Sequence, residues 1–362
     1  MTKRNSGIDM LRILSMVGIV ALHVIGLGGG IEVIPDGTLS NAIVRYIWII
    51  SFTSVDVFGI LTGYLNCNKK TLHWSRILDL LVIVAFWSIV ITAIFYVCPG
   101  RLLAGWKDYM VSLFPALKGR YWYITSYIFV YFMIPYLNRF IESMDKRLFQ
   151  KFLLVCFVLL SLIPTFGRTD FFRANTGSSP LWLTICYFIG AYLRKFDVKV
   201  NRSKCSAGFI GLSAFILGWQ LLCVQCFHGK LGSAWTGAYY SPLIVIMAIL
   251  FVELFVNGMK VFSDKLANVL KWMADGMFGV YIIHAHAQLW DKVIQPAITN
   301  QMKVLATQNT LICVTRVIGM IAGIVVITLL LDKIREYLFR ICKLDKLEMT
   351  VAEKLDAHFP LT

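Results

Sequence analysis

The chain has 362 residues, 58% of them hydrophobic and only 15% charged, against about 25% charged in soluble domains. A mean hydropathy of +0.71 excludes a soluble globular fold and points to an all-α, polytopic transmembrane helix bundle, because lipid-solvated backbone must satisfy its polar groups within helices. Lys and Arg outnumber Asp and Glu by 35 to 20, but no basic, aromatic nucleic-acid motif accompanies the excess, which reads as membrane sidedness and implies no nucleic-acid partner.

A bilayer core of about 30 Å calls for about 20 apolar residues per helix. This ruler predicts about ten spans, near 8–30, 43–66, 77–98, 121–138, 152–166, 180–194, 206–226, 239–257, 272–291 and 309–331. The first follows Lys3 and Arg4, holds Asp9 and Arg12 and lacks a small-residue cleavage site, so it is expected as a retained helix rather than a signal peptide. With the N- and C-termini cytoplasmic, 23 of the 35 basic residues fall inside and nine outside, as the positive-inside rule requires. Arg12, Arg45 and Arg316 fall within spans. The outer stretch 99–120 reads as an interfacial helix. Residues 1–331 form one membrane domain and 332–362 a cytoplasmic C-terminal tail. No inverted repeat or pair of Gly/Pro-broken spans suggests a secondary transporter. The nine cysteines lie mostly in or beside apolar segments, and Cys223-x-x-Cys226 stands alone, without the second pair a metal or redox site would use.

Ionisable residues inside a span cost about 2.5–3.5 kcal/mol each at mid-helix, so each is a candidate for function. In the first span Asp9, Arg12 and His23 share one face: eleven helical steps from Arg12 to His23 return to within about 20° of the starting direction and advance about 16 Å. Arg12 is then an anion-binding group near the cytoplasmic mouth, or snorkels to the headgroups beside Asp9. His23 lies deeper, as a general base, an acyl acceptor or an interhelical hydrogen-bonding group. Asp56, deep in the second span, calls for a cation, for which His23 and Arg316 are candidates. On the ninth span Tyr281, His284 and Gln288 share a face, while His286 points about 160° away from His284. Tyr121, Trp122 and Tyr123 read as an outer aromatic belt or a sugar-stacking platform.

Gly7, Asp9, Arg12 and His23, in a Gly-x-Asp-x-x-Arg start with His eleven residues beyond the Arg, resemble the first helix of the acyltransferase-3 family of membrane O-acyltransferases. SVDVFGILTGYL (54–65), with Asp56, Thr62, Gly63 and Tyr64, resembles its second-helix motif, although Thr62 stands where Ser is usual. RYWYITSYIFVYFMIPYLNRF (120–140) and GVYIIHAH (279–286) resemble its Trp-Tyr...Pro and Tyr-x-x-His spans. The family's RxxR in the first cytoplasmic loop reads here His73-Trp74-Ser75-Arg76, so only Arg76 carries over, with Lys69 and Lys70 as point charges that lack an arginine's fork.

The resemblance implies a multi-pass cell-membrane enzyme that moves an acyl group, most simply acetyl, from acetyl-CoA to a hydroxyl of a cell-surface or lipid-linked saccharide, with no permanently bound cofactor. Arg12, Arg76, Lys69 and Lys70 would meet the donor. His23 would react, by direct transfer or through an acyl-enzyme, with Asp9 orienting Arg12. Tyr281, His284, Trp122, Tyr123 and Asp56 would serve the acceptor side. No metal-ligand spacing is present. A homo-oligomer and an envelope-synthesis complex both fit such a role, and the competing reading is a transporter or channel using the same Asp, Arg and His residues.

Overall fold

The computed structural model describes residues 4–97, 107, 121–227, 237–257 and 263–361. The expected interfacial helix at 99–120 lies outside the described residues, Lys107 apart. Among those described, regular structure is helical, with one isolated β-bridge between Leu72 and Leu361. The longer helices are α1 (Ser6–Leu22), α2 (Leu39–Ser51), α3 (Thr53–Asn66), α4 (Trp74–Val97), α5 (Trp122–Glu142), α6 (Lys146–Phe157), α7 (Pro180–Lys195), α8 (Arg202–Phe227), α9 (Pro242–Val256), α10 (Asp264–His284), α11 (Gln295–Leu305), α12 (Thr310–Ile341) and α13 (Leu344–His358).

Local chemistry starts these helices where they start. Thr38, Asp145, Ser179, Ser263 and Asn309 each accept a backbone N–H of the first turn, and Pro180 and Pro242 occupy first-turn positions where no N–H is needed. Among the described residues, six segments are long and apolar enough to cross a membrane: Ser6–Leu27, Leu39–Asn66, Trp74–Val97, Lys146–Gly167, Arg202–Cys226 and Thr310–Ile341, with Pro242–Val256 a shorter apolar helix. The first of these combines α1 with a π-turn, His23–Leu27.

α3 is central. It packs along α7 and also meets α1 and α9. The α3–α7 approach is backbone on backbone: a Cβ at Gly63 would lie 1.9 Å from the Tyr187 carbonyl oxygen, and one at Gly190 would lie 1.8 Å from that of Ile60. Only glycine permits this crossing.

Two expectations change. The span predicted at 272–291 is not one helix, since α10 stops at His284, His286 is extended, and a short turn at Ala287–Leu289 leads into a π-turn at Trp290–Ile294. No Gly or Pro marks that break, and the chain restarts as Trp290 N–H bonds the His286 carbonyl at 2.7 Å. Gln288 therefore leaves the Tyr281 face and instead accepts from Thr92 of α4 at 3.1 Å. At the other end, α12 runs unbroken across 331/332, and buried Asp332 pairs with Arg335 at 2.7 Å, so the tail begins inside a helix of the bundle.

Candidate active site

The start of α1 is pinned by Asn5, which accepts Gly7 N–H at 2.9 Å and donates to the Val256 carbonyl at 3.3 Å. A Cβ on Gly7 would stand 2.2 Å from the Phe255 oxygen, so the first glycine of the motif is a packing requirement. One turn on, Asp9 keeps the expected ion pair with Arg12 but binds another residue more tightly. Its carboxylate is gripped by Arg4 through Nε at 2.8 Å and Nη2 at 2.7 Å, while Arg12 is 3.7 Å away. Arg4 also reaches Asp275 of α10 at 2.7 Å. A guanidinium fork arriving from the segment before the helix makes two well-aligned bonds, which a residue three positions along the same helix does not. Among the described residues the Arg12 side chain donates no hydrogen bond, and it remains 30% exposed.

That exposure opens into a cavity of about 310 Å³, lined by both Arg12 and His23. At the Arg12 end stand Arg76, Asn66, Asp79 and Asp275. Arg76 is flanked by Tyr127 and Asp79, and the Arg12 and Arg76 guanidiniums repel one another across the opening. Two converging cations with little hydrogen bonding of their own make a place for an anion. Met16, Ile19, Val55, Phe58 and Ile83 form an apolar throat, and His23, Tyr281, Tyr123 and Trp122 line the other end. Lys69 and Lys70 are exposed and do not line the cavity. Partial desolvation and the nearby Arg76 draw the Lys69 ammonium below its ordinary value.

His23 opens the π-turn, and its carbonyl accepts Gly28 N–H at 2.9 Å. Such wide turns are frequent at functional sites. Its Nδ1 lies 3.0 Å from Nε2 of His284, whose own Nδ1 is 2.6 Å from the Val280 carbonyl. A carbonyl only accepts, so His284 carries its proton on Nδ1. For neutral imidazoles, His284 Nε2 then accepts His23 Nδ1–H, which leaves the lone pair of His23 on Nε2. Trp290 packs edge-on against the His23 ring at 5.4 Å. His284, placed with Tyr281 in the acceptor group by the sequence, is fully buried and lines no part of the cavity. It stands behind His23.

Asp56 is a second correction. It meets neither His23 nor Arg316, which is exposed on α12. Its Oδ1 instead accepts Trp182 Nε1–H at 2.8 Å and faces Cys186 Sγ at 3.6 Å. Both donors sit on α7, brought close by the glycine crossing, and Asp56 is buried away from the cavity. The aromatic run lies inward as well: Tyr121 is buried with its hydroxyl donating to the Ile282 carbonyl at 3.1 Å, Trp122 stacks on Tyr239 with centroids 6.1 Å apart, and Tyr123 meets Tyr281 edge-on. Sequence reasoning missed Arg4, Asp275, Asp79, Tyr127 and Tyr239. Only Arg4 left a trace, as a cation five residues before Asp9.

Comparison with curated proteins and with solved structures gives no match. The family model of the acyltransferase-3 group, described as an acyltransferase domain, matches residues 5–332, a stretch that contains every residue lining the cavity. The chain belongs to the acyltransferase-3 family and is a membrane acyltransferase.

Proposed function

We propose that this acyltransferase takes an acyl group, most simply acetyl, from acyl-CoA on the cytoplasmic side and places it on a hydroxyl of a cell-surface or lipid-linked saccharide. The observation that carries the reading is the single cavity joining the Arg12–Arg76 pair to His23. A donor that is phosphorylated at one end, apolar along its arm and reactive at its tip matches that order of residues. The phosphates would engage the two guanidiniums, the arm would lie along Ile19, Val55 and Phe58, and the thioester would reach His23 about 16 Å away along the helix axis.

The chemistry follows from the free lone pair. His23 Nε2 removes the proton of the acceptor hydroxyl as its oxygen attacks the thioester carbonyl. The tetrahedral adduct collapses, the carbon–sulfur bond breaks, and the imidazolium returns the proton to the departing thiolate. His284 holds the ring in the tautomer this requires. Tyr281, Tyr123 and Trp122 would bind the acceptor saccharide by stacking and hydroxyl contacts, in the plasma membrane of the cell.

Purified protein in lipid should bind acetyl-CoA, and His23→Ala should retain that binding while polysaccharide O-acylation in expressing cells is lost. Absence of acetyl-CoA binding would instead favour an ion or proton pathway through the same residues.

A further inference from the structure

The family match ends at residue 332, yet the chain beyond it returns to the mouth of the cavity. α13 packs along α4 with Ala352 buried at the contact. Asp356 accepts the backbone N–H of Trp74 at 2.9 Å and stands 3.2 Å from His73 Nδ1. Trp74 Nε1–H donates to the Phe359 carbonyl at 2.8 Å, and Leu72 N–H donates to that of Leu361 at 3.0 Å. From the opposite side, Tyr131 donates to the His73 carbonyl at 2.9 Å.

These contacts fall on one turn. Trp74 is the first residue of α4, so its N–H has no partner within the helix, and the residue before it is His73, a poor capping side chain. A carboxylate from the far end of the chain takes the capping role and adds a negative charge at the positive end of the helix. Arg76 is two residues further on, and Asp79 three beyond that, both lining the cavity.

We propose that Asp356, carried by α13, is a positioning residue for the donor site: it fixes the first turn of α4 so that the Arg76 fork is held facing Arg12. The proposal rests on the donor reading given above. A two-pronged guanidinium contact tolerates displacements of only about 0.5 Å, so a frayed first turn would weaken donor binding and leave the chemistry at His23 untouched.

The test uses the full chain in lipid, with acetyl-CoA as the probe in equilibrium binding and in thiol release at saturating donor. Asp356→Ala should weaken acetyl-CoA binding about five- to tenfold, the scale of losing one helix cap, with the saturated rate unchanged and amide exchange of residues 72–76 accelerated. Asp356→Asn keeps an acceptor oxygen for Trp74 N–H and should restore most of the affinity. Arg76→Ala serves as the comparison. If Arg76→Ala weakens binding and Asp356→Ala does not, the positioning role is overturned while the donor reading stands; if Arg76→Ala binds normally, the donor reading falls and takes this proposal with it. A lower saturated rate at unchanged affinity also overturns it. Should Asp356→Ala fail to accumulate, Asp356→Ser keeps a small polar side chain but holds its oxygen a bond short of the Trp74 N–H: weaker acetyl-CoA binding supports the proposal and normal binding overturns it.

Discussion

Replacing His284 by Leu separates the role of the second histidine from that of the first. Among the described residues, the substitution removes the one acceptor within 3.0 Å of His23 Nδ1, and it fills the space with a side chain of similar bulk. Leaving that buried N–H unpaired costs about 1–3 kcal/mol, which His23 avoids by moving its proton to Nε2 and turning the lone pair away from the cavity. A base in the wrong tautomer forfeits the general-base contribution, about 10²- to 10⁴-fold in rate. The expected result is a fall in acyl transfer of about a hundredfold or more at saturating donor, with acetyl-CoA affinity changed less than about threefold. His284→Gln, whose amide oxygen can accept from His23, should fall in between. The assay is thiol release from acetyl-CoA together with saccharide O-acylation in cells expressing each variant. Folded His284→Leu protein acylating within about threefold of the parent would refute the tautomer argument.

Arg4→Ala should free Asp9 to move onto Arg12, now 3.7 Å away, and weaken acetyl-CoA binding about tenfold; calorimetry at fixed ionic strength checks this, and unchanged affinity means that Asp9 stays where it is. Gly190→Ala would put a Cβ 1.8 Å from the Ile60 oxygen and 2.7 Å from Tyr64 N, atoms that cannot yield without parting α3 from α7. A loss of about 3 kcal/mol or more is expected in unfolding experiments, whereas Gly211→Ala, with nothing within 4 Å of its Cβ, should leave stability near the parent value. Burial, then Asp79 and Asp345 against an opposing Arg335, push the Glu348 carboxyl of α13 up to about 7 from an ordinary 4.5. A raised carboxyl favours the packed state below its ordinary value and loses that contribution as pH climbs through about 7. Hydrogen exchange of α13, corrected for its intrinsic base-catalysed rise, should therefore quicken between about pH 4.5 and 7, and Glu348→Gln should flatten the dependence.

Much of the site was legible in the sequence because helix geometry is rigid. Eleven residues from Arg12 to His23 must return to one face, and both line one cavity. What sequence could not supply was competition between groups far apart in the chain. The i,i+3 spacing made Asp9 a natural partner for Arg12, but Arg4 reaches it with better geometry. Tyr281 and His284 do share a side of α10, yet periodicity cannot tell which ring reaches the cavity and which lies behind it. Asp56 seemed to need a cation because an indole N–H and a thiol on α7 carry no charge to announce them. The end of α10 at His284 has no breaker residue, and the capping of α4 by Asp356 joins residues 282 apart, a pairing outside the reach of any local rule.

A carbonyl oxygen at the back of the histidine pair is a dead end for protons. The Val280 oxygen accepts His284 Nδ1–H at 2.6 Å but has neither a proton to hand on nor the basicity to keep one. A proton gained at His23 Nε2 therefore leaves by the face through which it came. In the proposed reaction the base waiting there is the departing thiolate, so the hydrogen stripped from the acceptor ends on CoA. Under that proposal the histidine pair itself moves no proton past the Val280 carbonyl. The proposed thioester would then supply the driving force for acyl transfer without a proton relay through His284.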